Sequence, residues 1–394
     1  MLKGLNKLRS RNLVNTLAKN TRKYTSDAAT VYTVTVNDPS FRLPKDSTIL
    51  SGIQPTGTFH LGNYFGAIKS WHDLNTLVGK SSSSDSSSLY FFVADLHSLT
   101  VPQDYAVLQK QRLEAFASII ACGIDPELST IYYQSTIPEI TSIQWVLSCF
   151  TGMGYLNRMT QWKSKANMKE SATVNDDNAL GKVKLGLFGY PVLMASDVLS
   201  MRATHVPVGQ DQSQHLELTR DIAETFNKTV KQEYFGLPHT LLTPTKKILS
   251  LKNPLKKMSK SDKEPLSKVF ITDSPADILK KFNKATTDSV EGILTYDPEN
   301  RPGIANLIGI LAAAKNESIS QTSQDVANLS KRELKQLVAE SVIKELDEPS
   351  RKYRELISDP EHLDKLSKIG TDKARARANE TLKDVMKLVG MSSY

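Results

Sequence analysis

One segment, residues 48–71, constrains the fold of this chain more than any other. Thr48 to Ile53 is a short β-branched and apolar run, which predicts a buried strand. The chain then turns at Gln-Pro-Thr-Gly, residues 54–57, and the apolar spacing after the turn is that of a helix. A strand, a glycine-containing turn and a helix form the front half of a nucleotide-binding βαβ unit. Because the start of such a helix presents free backbone N–H groups, the segment favours a phosphate site.

Strand and helix patterns continue to alternate along the next two hundred or so residues. Residues 89–99 form an apolar run that becomes polar at its end, where His97 lies, and residues 130–135 and 205–208 predict two more strands. Such alternation is typical of a doubly wound parallel sheet, in which ligands collect at the carboxyl ends of the strands. We therefore expect an α/β, Rossmann-type domain over residues 45–270, with its site at that edge.

The pattern changes after Lys268, where helical spacing follows helical spacing and no strand pattern of any strength appears. Ser274 and Pro275 are the N-cap and first-turn proline of a helix that reaches about Lys284. Further predicted helices cover residues 303–314, 331–345, 351–358 and 373–389. We therefore expect an all-helical C-terminal domain over residues 271–394.

The first 26 residues are basic and amphipathic, with seven Lys or Arg, no acid and a row of leucines. This composition is typical of a mitochondrial transit peptide, here residues 1–24 with cleavage near Tyr24. The alternative is a basic arm that contacts RNA. The whole chain carries a net charge of +8, of which this segment contributes +7, so about +1 remains without it. RNA binding would then depend on a local patch such as the lysine-rich residues 228–268.

The composition argues against several kinds of site and segment. The only cysteines, Cys122 and Cys149, are not in Cys-x-x-Cys spacing, so neither a structural zinc site nor a disulfide framework is expected. No stretch approaches the apolar length of a membrane span. Residues 81–88 hold seven Ser around Asp85, a low-complexity composition that predicts a surface loop.

Two short motifs indicate the chemistry. His60-Leu-Gly-Asn63 opens the first predicted helix, and Lys257-Met-Ser-Lys-Ser261 follows about two hundred residues later. In this order they resemble the HIGH and KMSKS signatures of class I aminoacyl-tRNA synthetases, with Asn63 where many of these enzymes have a second His. The segments on either side of the first motif, Gly-Ile-Gln-Pro-Thr-Gly and Gly-Asn-Tyr-Phe-Gly-Ala, are similar to those of the tryptophanyl-tRNA synthetases. The resemblance covers roughly residues 48 to 390.

The resemblance implies an enzyme that activates L-tryptophan with ATP and transfers it to tRNA(Trp), as a homodimer. The basic leader adds the expectation that the enzyme is in the mitochondrial matrix. Mg²⁺ would accompany the triphosphate, without a metal site in the protein, a tightly bound cofactor or a membrane partner. His60 and Asn63 would donate to the phosphate chain as charge builds on it. Lys165, Lys257 and Lys260 would hold the leaving pyrophosphate.

The resemblance also implies two sets of binding residues. The set for ATP comprises Gln54, Pro55, Thr56, Gly62, Asn63, Gly209, Gln210, Asp211, Ile248, Lys257, Met258, Ser259, Lys260 and Ser261. The set for tryptophan comprises Leu50, Gly52, Gln54, His97, Met194, Asp197, Val206, Val208 and Gln212. In the first set, Asp211 would hold the ribose hydroxyls and Ile248 would pack on adenine, while Gly62 would let adenine approach the backbone.

Asp197 is the residue expected to select the amino acid, because it interrupts the apolar run of residues 190–199. A buried carboxylate is costly unless a donor satisfies it. The donor could be a backbone N–H or an arginine of the chain. The resemblance implies instead that it is the indole N–H of tryptophan, which can only donate.

Three other functions stay open from the sequence. A tyrosyl-tRNA synthetase also carries Gly-x-Asp-Gln, and only Gln54 and the segment Met194–Asp197 argue against it. A small adenylyltransferase uses a similar first motif but would lack Lys-Met-Ser-Lys-Ser and a helical domain. An RNA-binding protein derived from a synthetase would have lost a residue of the chemistry, and none is lost here.

Overall fold

The computed structural model describes residues 44–79, 87–169, 171–174, 181, 183–209, 212–242 and 248–392. Within these ranges one parallel sheet has the strand order β3-β2-β1-β4-β5. Its strands are β1 (Thr48–Ile53), β2 (Ser88–Val93), β3 (Ser129–Tyr133), β4 (His205–Val208) and β5 (His239–Leu242). Four of them follow the sequence pattern, whereas β5, with only four residues, was not predicted. The predicted loop at 81–88 ends earlier than expected because Ser88 already belongs to β2, and residues 81–86 lie outside the described ranges.

The strand order places the site. From β1 the chain winds outward to β2 and β3, then crosses back to β4 on the other side of β1. The connections that leave β1 and β4 therefore run in opposite directions and open a crevice at the carboxyl ends of these two strands. Residues 54–57 and Gly209 follow these ends directly. The expectation of a doubly wound parallel sheet is confirmed.

Helices cover both faces of the sheet. In the first half these are α1 (Leu61–Asn63), α2 (Lys69–Gly79), α3 (Asp95–Ser98), α4 (Tyr105–Ala121), α5 (Pro138–Ser148), α6 (Met153–Arg158), α7 (Gln161–Lys165), α8 (Leu185–Ser200) and α9 (Ser213–Val230). Alternate strand residues point to opposite faces. Ile49 and Phe91 pack with residues of α2 and α4, while Leu50 and Phe92 pack with residues of α5 and α8. The described residues thus form a core on each face of the sheet.

The second half is helical in its described residues, in agreement with the sequence. It contains α10 (Pro275–Asn283), α11 (Pro302–Lys315), α12 (Ile319–Val326), α13 (Lys331–Ser358) and α14 (Pro360–Leu388). Two predicted helices, 331–345 and 351–358, are a single helix, and the last helix begins at Pro360 instead of residue 373. Pro349 lies inside α13 and is buried together with Leu346 and Tyr353. Tertiary packing therefore offsets the few kcal/mol, about 3, that an internal proline costs a helix.

The last helix does not stay within the helical half. α14 lies against β3, and a Cβ added to Gly370 would come within 1.8 Å of the Ile131 carbonyl oxygen. Arg375 forms an ion pair with Glu139 of α5 at 2.9 Å. The predicted domain boundary at 270/271 stays a prediction. α14 follows this boundary in the sequence but packs on β3 and α5, which precede it. No helix among the described residues is long and apolar enough to cross a membrane.

Candidate functional site

A cavity of about 430 Å³ opens at the carboxyl ends of β1 and β4, beside the end of β2. All of the residues predicted to contact tryptophan line it, namely Leu50, Gly52, Gln54, His97, Met194, Asp197, Val206, Val208 and Gln212. Gln161, Lys165, Tyr190 and Gly209 are among its other lining residues. The structure thus brings together side chains that are up to 162 positions apart in the chain, from Leu50 to Gln212. Their contacts with an amino acid stay predictions.

Gly52 shows how closely the end of β1 is packed. The register places Phe92 beside Gly52, and a Cβ on the glycine would lie 2.4 Å from the Phe92 ring. Phe92 in turn stacks on Tyr132 of β3, with 5.5 Å between the ring centroids. A side chain at position 52 would therefore displace an aromatic ring that borders the cavity.

Asp197 is almost completely buried, with 1% of its surface exposed, and three hydrogen bonds satisfy its carboxylate. The Gln134 amide nitrogen donates to Oδ1 and Oδ2, at 2.8 Å each, and His97 Nε2 lies 3.0 Å from Oδ2. When the carboxylate is ionised it can only accept, so His97 then donates from Nε2. Among the bonds described, neither a backbone N–H nor an arginine of the chain reaches the carboxylate: its partners are the side chains of Gln134 after β3 and His97 after β2. The indole N–H as a further donor stays a prediction.

Sequence reasoning missed Gln134. It stands directly after β3, where polar residues at the carboxyl end of a strand favour a site, as they did at His97 after β2. The same signal would therefore have found Gln134. What the sequence does not contain is its distance to Asp197, which lies 63 positions further along the chain.

One wall of the cavity is a chain of polar side chains around Tyr190. Its hydroxyl donates to Gln161 Oε1 at 3.0 Å and lies 3.0 Å from His215 Nε2, while its ring lies under the ammonium group of Lys165 at 4.4 Å. Burial lowers the pKa of Lys165. His215 therefore contacts Tyr190 without lining the cavity itself, and Lys165 lies at the cavity surface.

His60 and Asn63 cap the start of α1 with reciprocal hydrogen bonds. The Asn63 backbone N–H donates to His60 Nδ1 at 3.3 Å, and the His60 N–H donates to Asn63 Oδ1 at 3.2 Å. Burial, together with the charges of Lys260 and Lys257, lowers the pKa of His60 to about 3, so its ring is neutral at pH 7. Because Nδ1 accepts, the ring proton is on Nε2. Each side chain thus keeps a donor group, Nε2–H or the amide NH₂, beyond the bond that caps the helix.

Gly62 lies directly beneath the His60 ring. A Cβ at this position would be 2.8 Å from His60 Cε1. In this conformation the glycine therefore accommodates the histidine ring of the first motif, and its proposed contact with adenine stays a prediction.

The second motif lies against the turn that precedes the first motif. Met258 is buried and its N–H donates to the Ile248 carbonyl, and the ammonium group of Lys260 donates to the carbonyls of Thr56 at 2.9 Å and Gly57 at 2.8 Å. Burial lowers the pKa of Lys260 to about 7. Lys260 thus contacts the turn after β1 in this conformation, instead of facing open solvent. Ile248 is only 2% exposed, which leaves little of its surface for adenine here.

A second, smaller cavity of about 210 Å³ adjoins the first. Gln54, His97 and Lys165 line both cavities, and Pro55 and Thr56 line the smaller one. The turn predicted for ATP therefore lies next to the cavity predicted for the amino acid. Gln210 and Asp211 of the ATP set lie outside the described residues. In the described part of the chain, no group of three or more His, Cys, Asp or Glu is placed to hold a metal ion.

Comparison with known proteins extends over most of the chain. The family model described as tRNA synthetases class I (W and Y) matches residues 44–374. The mitochondrial tryptophan–tRNA ligase of Saccharomyces cerevisiae is 48% identical over 354 residues, which are 88% of this chain and 92% of the yeast protein. That of Schizosaccharomyces pombe is 42% identical over 352 residues, or 88% of this chain and 96% of the other.

Solved structures agree with the sequence relatives. The tryptophanyl-tRNA synthetase of Mycoplasma pneumoniae superposes with a TM-score of 0.73 at 32% identity, covering 88% of this chain and 98% of the other. That of Campylobacter jejuni, solved with ADP and tryptophan, gives a TM-score of 0.68 at 31% identity, covering 87% and 99%. With the second motif held against the turn that precedes the first, and with this similarity along nearly the whole fold, the chain belongs to the class I tRNA synthetases, as a member of their tryptophanyl family.

Proposed function

We propose that this chain charges tRNA(Trp) in the mitochondrial matrix, at the crevice between β1 and β4, with the two motifs acting on ATP. As a tryptophan–tRNA ligase it uses L-tryptophan, ATP and tRNA, and forms AMP and diphosphate. The observation that carries the assignment of the site is the position of Asp197. This buried carboxylate borders a cavity of amino-acid size, and the smaller cavity beside it is lined by Thr56 of the turn that Lys260 contacts.

The first step joins the tryptophan carboxylate to the α-phosphorus of ATP, and pyrophosphate leaves. Little covalent work falls on the protein, so the rate depends on positioning and on stabilisation of charge. The neutral His60 ring can donate from Nε2 and Asn63 from its amide, since the capping bonds use their other atoms. In the second step the activated tryptophan passes to the tRNA.

Lys260 connects the chemistry to a motion of the second motif. In this conformation its ammonium group is bound by the carbonyls of Thr56 and Gly57. To hold a departing pyrophosphate it has to leave both carbonyls, which makes the contact a gate in the sense of loop-controlled catalysis. Lys257 is exposed on the same loop and Lys165 lies across the cavity. The three lysines would then surround the triphosphate.

Mg²⁺ would enter as a substrate component, bound to oxygens of the triphosphate. This ion keeps several waters and commonly binds through substrate phosphates with only one or two carboxylates. The groups that the protein itself would supply to the phosphates are therefore N–H and ammonium donors.

Two further parts of the proposal concern location and assembly. The relatives from two yeasts are mitochondrial enzymes, and the basic, amphipathic residues 1–24 have the composition of a matrix-targeting leader. That segment lies outside the described residues. A homodimer would place exposed apolar side chains such as Trp145 of α5, Met153 of α6 and Leu185 of α8 against a second copy of the chain.

The test of the function is ATP–pyrophosphate exchange with tryptophan and tyrosine side by side. We expect exchange that depends on tryptophan and stays at background with tyrosine. Exchange driven by tyrosine, or by neither amino acid, would contradict the proposal. Charging of tRNA(Trp) by the same preparation tests the second step.

A further inference from the structure

Gln134 is a fully buried residue whose amide contacts Asp197, a lining residue of the larger cavity, on one side and the backbone of Leu96 and His97 on the other. It is the first residue of the short 3-10 turn Gln134–Thr136 after β3, and its side chain reaches Asp197. Gln134 belongs to neither of the two motifs, and the chemistry of adenylation assigns it no role. Its contacts nevertheless converge on the group proposed to recognise the indole.

The amide can be oriented in only one way. Its Oε1 accepts from the backbone N–H of Leu96 at 3.1 Å and of His97 at 3.4 Å. Its nitrogen faces the two carboxylate oxygens of Asp197 at 2.8 Å each. A flipped amide would place NH₂ against two N–H donors and an oxygen against a carboxylate, so the contacts fix the assignment.

The same contacts fix the carboxylate. A carboxylate has about four lone-pair sites, and Gln134 and His97 together occupy three of them. The remaining acceptor capacity is on Oδ1, since His97 adds a second bond to Oδ2. Asp197 lines the cavity, so this capacity is available to a donor of the ligand.

We propose that Gln134 is a positioning residue for amino-acid recognition, which holds the Asp197 carboxylate in the orientation that accepts the indole N–H. The inference rests on the proposed role of Asp197 in binding tryptophan. It adds to that role a physical requirement: the rigid backbone at Leu96 and His97 aligns the Gln134 amide, and the amide aligns the carboxylate.

The charge of Asp197 depends on the same donors. Burial raises the pKa of Asp197, and the hydrogen bonds from His97 and Gln134 lower it again. The negative charge of Asp95, after β2, also raises the pKa of Asp197. Tyr132 of β3 is a further titratable neighbour, and the charge of Asp197 raises the pKa of its hydroxyl. Removing the Gln134 donor therefore shifts the pKa of Asp197 upward, and its acceptor form is lost at a higher pH than in the wild type.

Two substitutions test the inference because they move the pH dependence in opposite directions. Gln134→Leu removes the donor, so kcat/KM for tryptophan should fall about 10-fold to 100-fold, most strongly at low pH, as for a lost hydrogen bond to a charged group. Gln134→Glu keeps the shape and can donate only when one proton is shared with Asp197. Its kcat/KM for tryptophan should therefore fall as pH rises. Gln144→Leu is the matched control, since its amide contacts only Ser148 among the bonds described.

A ligand without the N–H separates recognition from general damage. With β-(benzothien-3-yl)alanine, in which sulfur replaces the indole N–H, the ratio between wild type and Gln134→Leu should be close to one. Equal losses with both amino acids, or a Gln134→Glu profile that matches the wild type, would overturn the inference. Absence of tryptophan-dependent exchange in the wild type would instead overturn the proposed function itself.

Discussion

At the scale of single residues, the structure changes what Asp197 can do for specificity. If its carboxylate had no partner in the protein, a ligand without a donor would face the full cost of a buried charge. Gln134 and His97 already satisfy most of the carboxylate. If Asp197 accepts the indole N–H as proposed, rejection of phenylalanine would rest on one charged hydrogen bond, about 1.5–3 kcal/mol or 10-fold to 100-fold, plus the apolar contacts that the smaller ring loses. This is less than the 10⁴ to 10⁵ that an otherwise unpartnered polar group can give.

We expect Asp197→Asn to lower kcat/KM for tryptophan about 10²-fold or more and to reduce the preference over phenylalanine. The amide has one acceptor instead of two, so its NH₂ group would meet a donor from Gln134 or His97. The measurement is kcat/KM for tryptophan, tyrosine and phenylalanine. Asp347→Asn, on the exposed side of α13, is the control. An unchanged ratio of tryptophan to phenylalanine would make Asp197 purely structural.

Lys260 is the second residue for which we expect a defined loss. Lys260→Ala should reduce kcat for adenylation by about 10² to 10³, because one donor to developing charge is removed. KM for tryptophan should change little, since the ammonium group contacts the turn at Thr56 and Gly57 and is not part of the cavity lining. Pre-steady-state formation of the adenylate measures this, with exposed Lys263→Ala of the same loop as control. A full rate in the Lys260 variant would remove it from the mechanism.

At the scale of elements, α13 supports the first motif from the helical half. Its Glu345 accepts from the Tyr64 hydroxyl at 3.0 Å and from the Lys69 ammonium group at 2.7 Å, and its Tyr353 lies 3.1 Å from Thr58 Oγ1. Tyr64 is the first residue of the π-helical turn Tyr64–Ile68 between α1 and α2, and Lys69 follows the turn directly. One partner helix therefore contacts residues 58–69, which include the first motif, at three points.

Truncation of this support should cost stability. Glu345→Ala leaves a largely buried Tyr64 hydroxyl and Lys69 without their shared acceptor, so the free energy of unfolding should fall by about 1–3 kcal/mol. The exposed pair Glu348–Lys352 on the same helix is the control, and Glu348→Ala should change it by less than about 0.5 kcal/mol. Urea unfolding measures both. Equal effects would show that Glu345 contributes no more than a surface charge.

At the scale of the whole molecule, the C-terminal helix joins the two halves. α14 belongs to the helical half by sequence, yet it packs on β3 and α5 and places Ala374 and Ala378 in the core beneath the sheet. Arg202, just after α8, donates to Asp384 at 3.2 Å near the end of the same helix. The end of the chain is thus part of the structure that supports β3, after which Gln134 stands.

The contact of α14 with β3 predicts the direction in which two glycine substitutions change the stability of the protein. Gly370→Ala would place a methyl group against the Ile131 backbone, so it should destabilise the protein by about 1–3 kcal/mol or more. Gly309→Ala in α11 meets nothing within 4 Å and should stabilise it by up to about 1 kcal/mol, through helix propensity. Thermal or urea unfolding compares the two variants. A stabilised Gly370→Ala protein would show that the two elements are not in close contact in solution.

Features that are encoded locally could be predicted from the order of the amino acids. The apolar runs predicted four of the five strands in the described part of the chain, helical spacing predicted the helical C-terminal half, and the two motifs indicated the family. The helix bounds differ more from the prediction. The two helices predicted on either side of Pro349 are one continuous helix, in which Leu346, Pro349 and Tyr353 are buried. Local patterns report which conformation a segment prefers, and long-range packing can override that preference by a few kcal/mol.

Which atoms contact each other depends on the three-dimensional fold. Gln134 and Asp197 are 63 positions apart, and Lys260 reaches Thr56 across 204, so no spacing in the sequence states these contacts. The sequence indicates that the carboxylate in the apolar run requires a hydrogen-bond donor, because burying a carboxylate without one is costly. Which donor satisfies it depends on where β2, β3 and α8 end in space. That arrangement follows from the order of the strands and from the cores on both faces of the sheet, to which residues from the whole chain contribute.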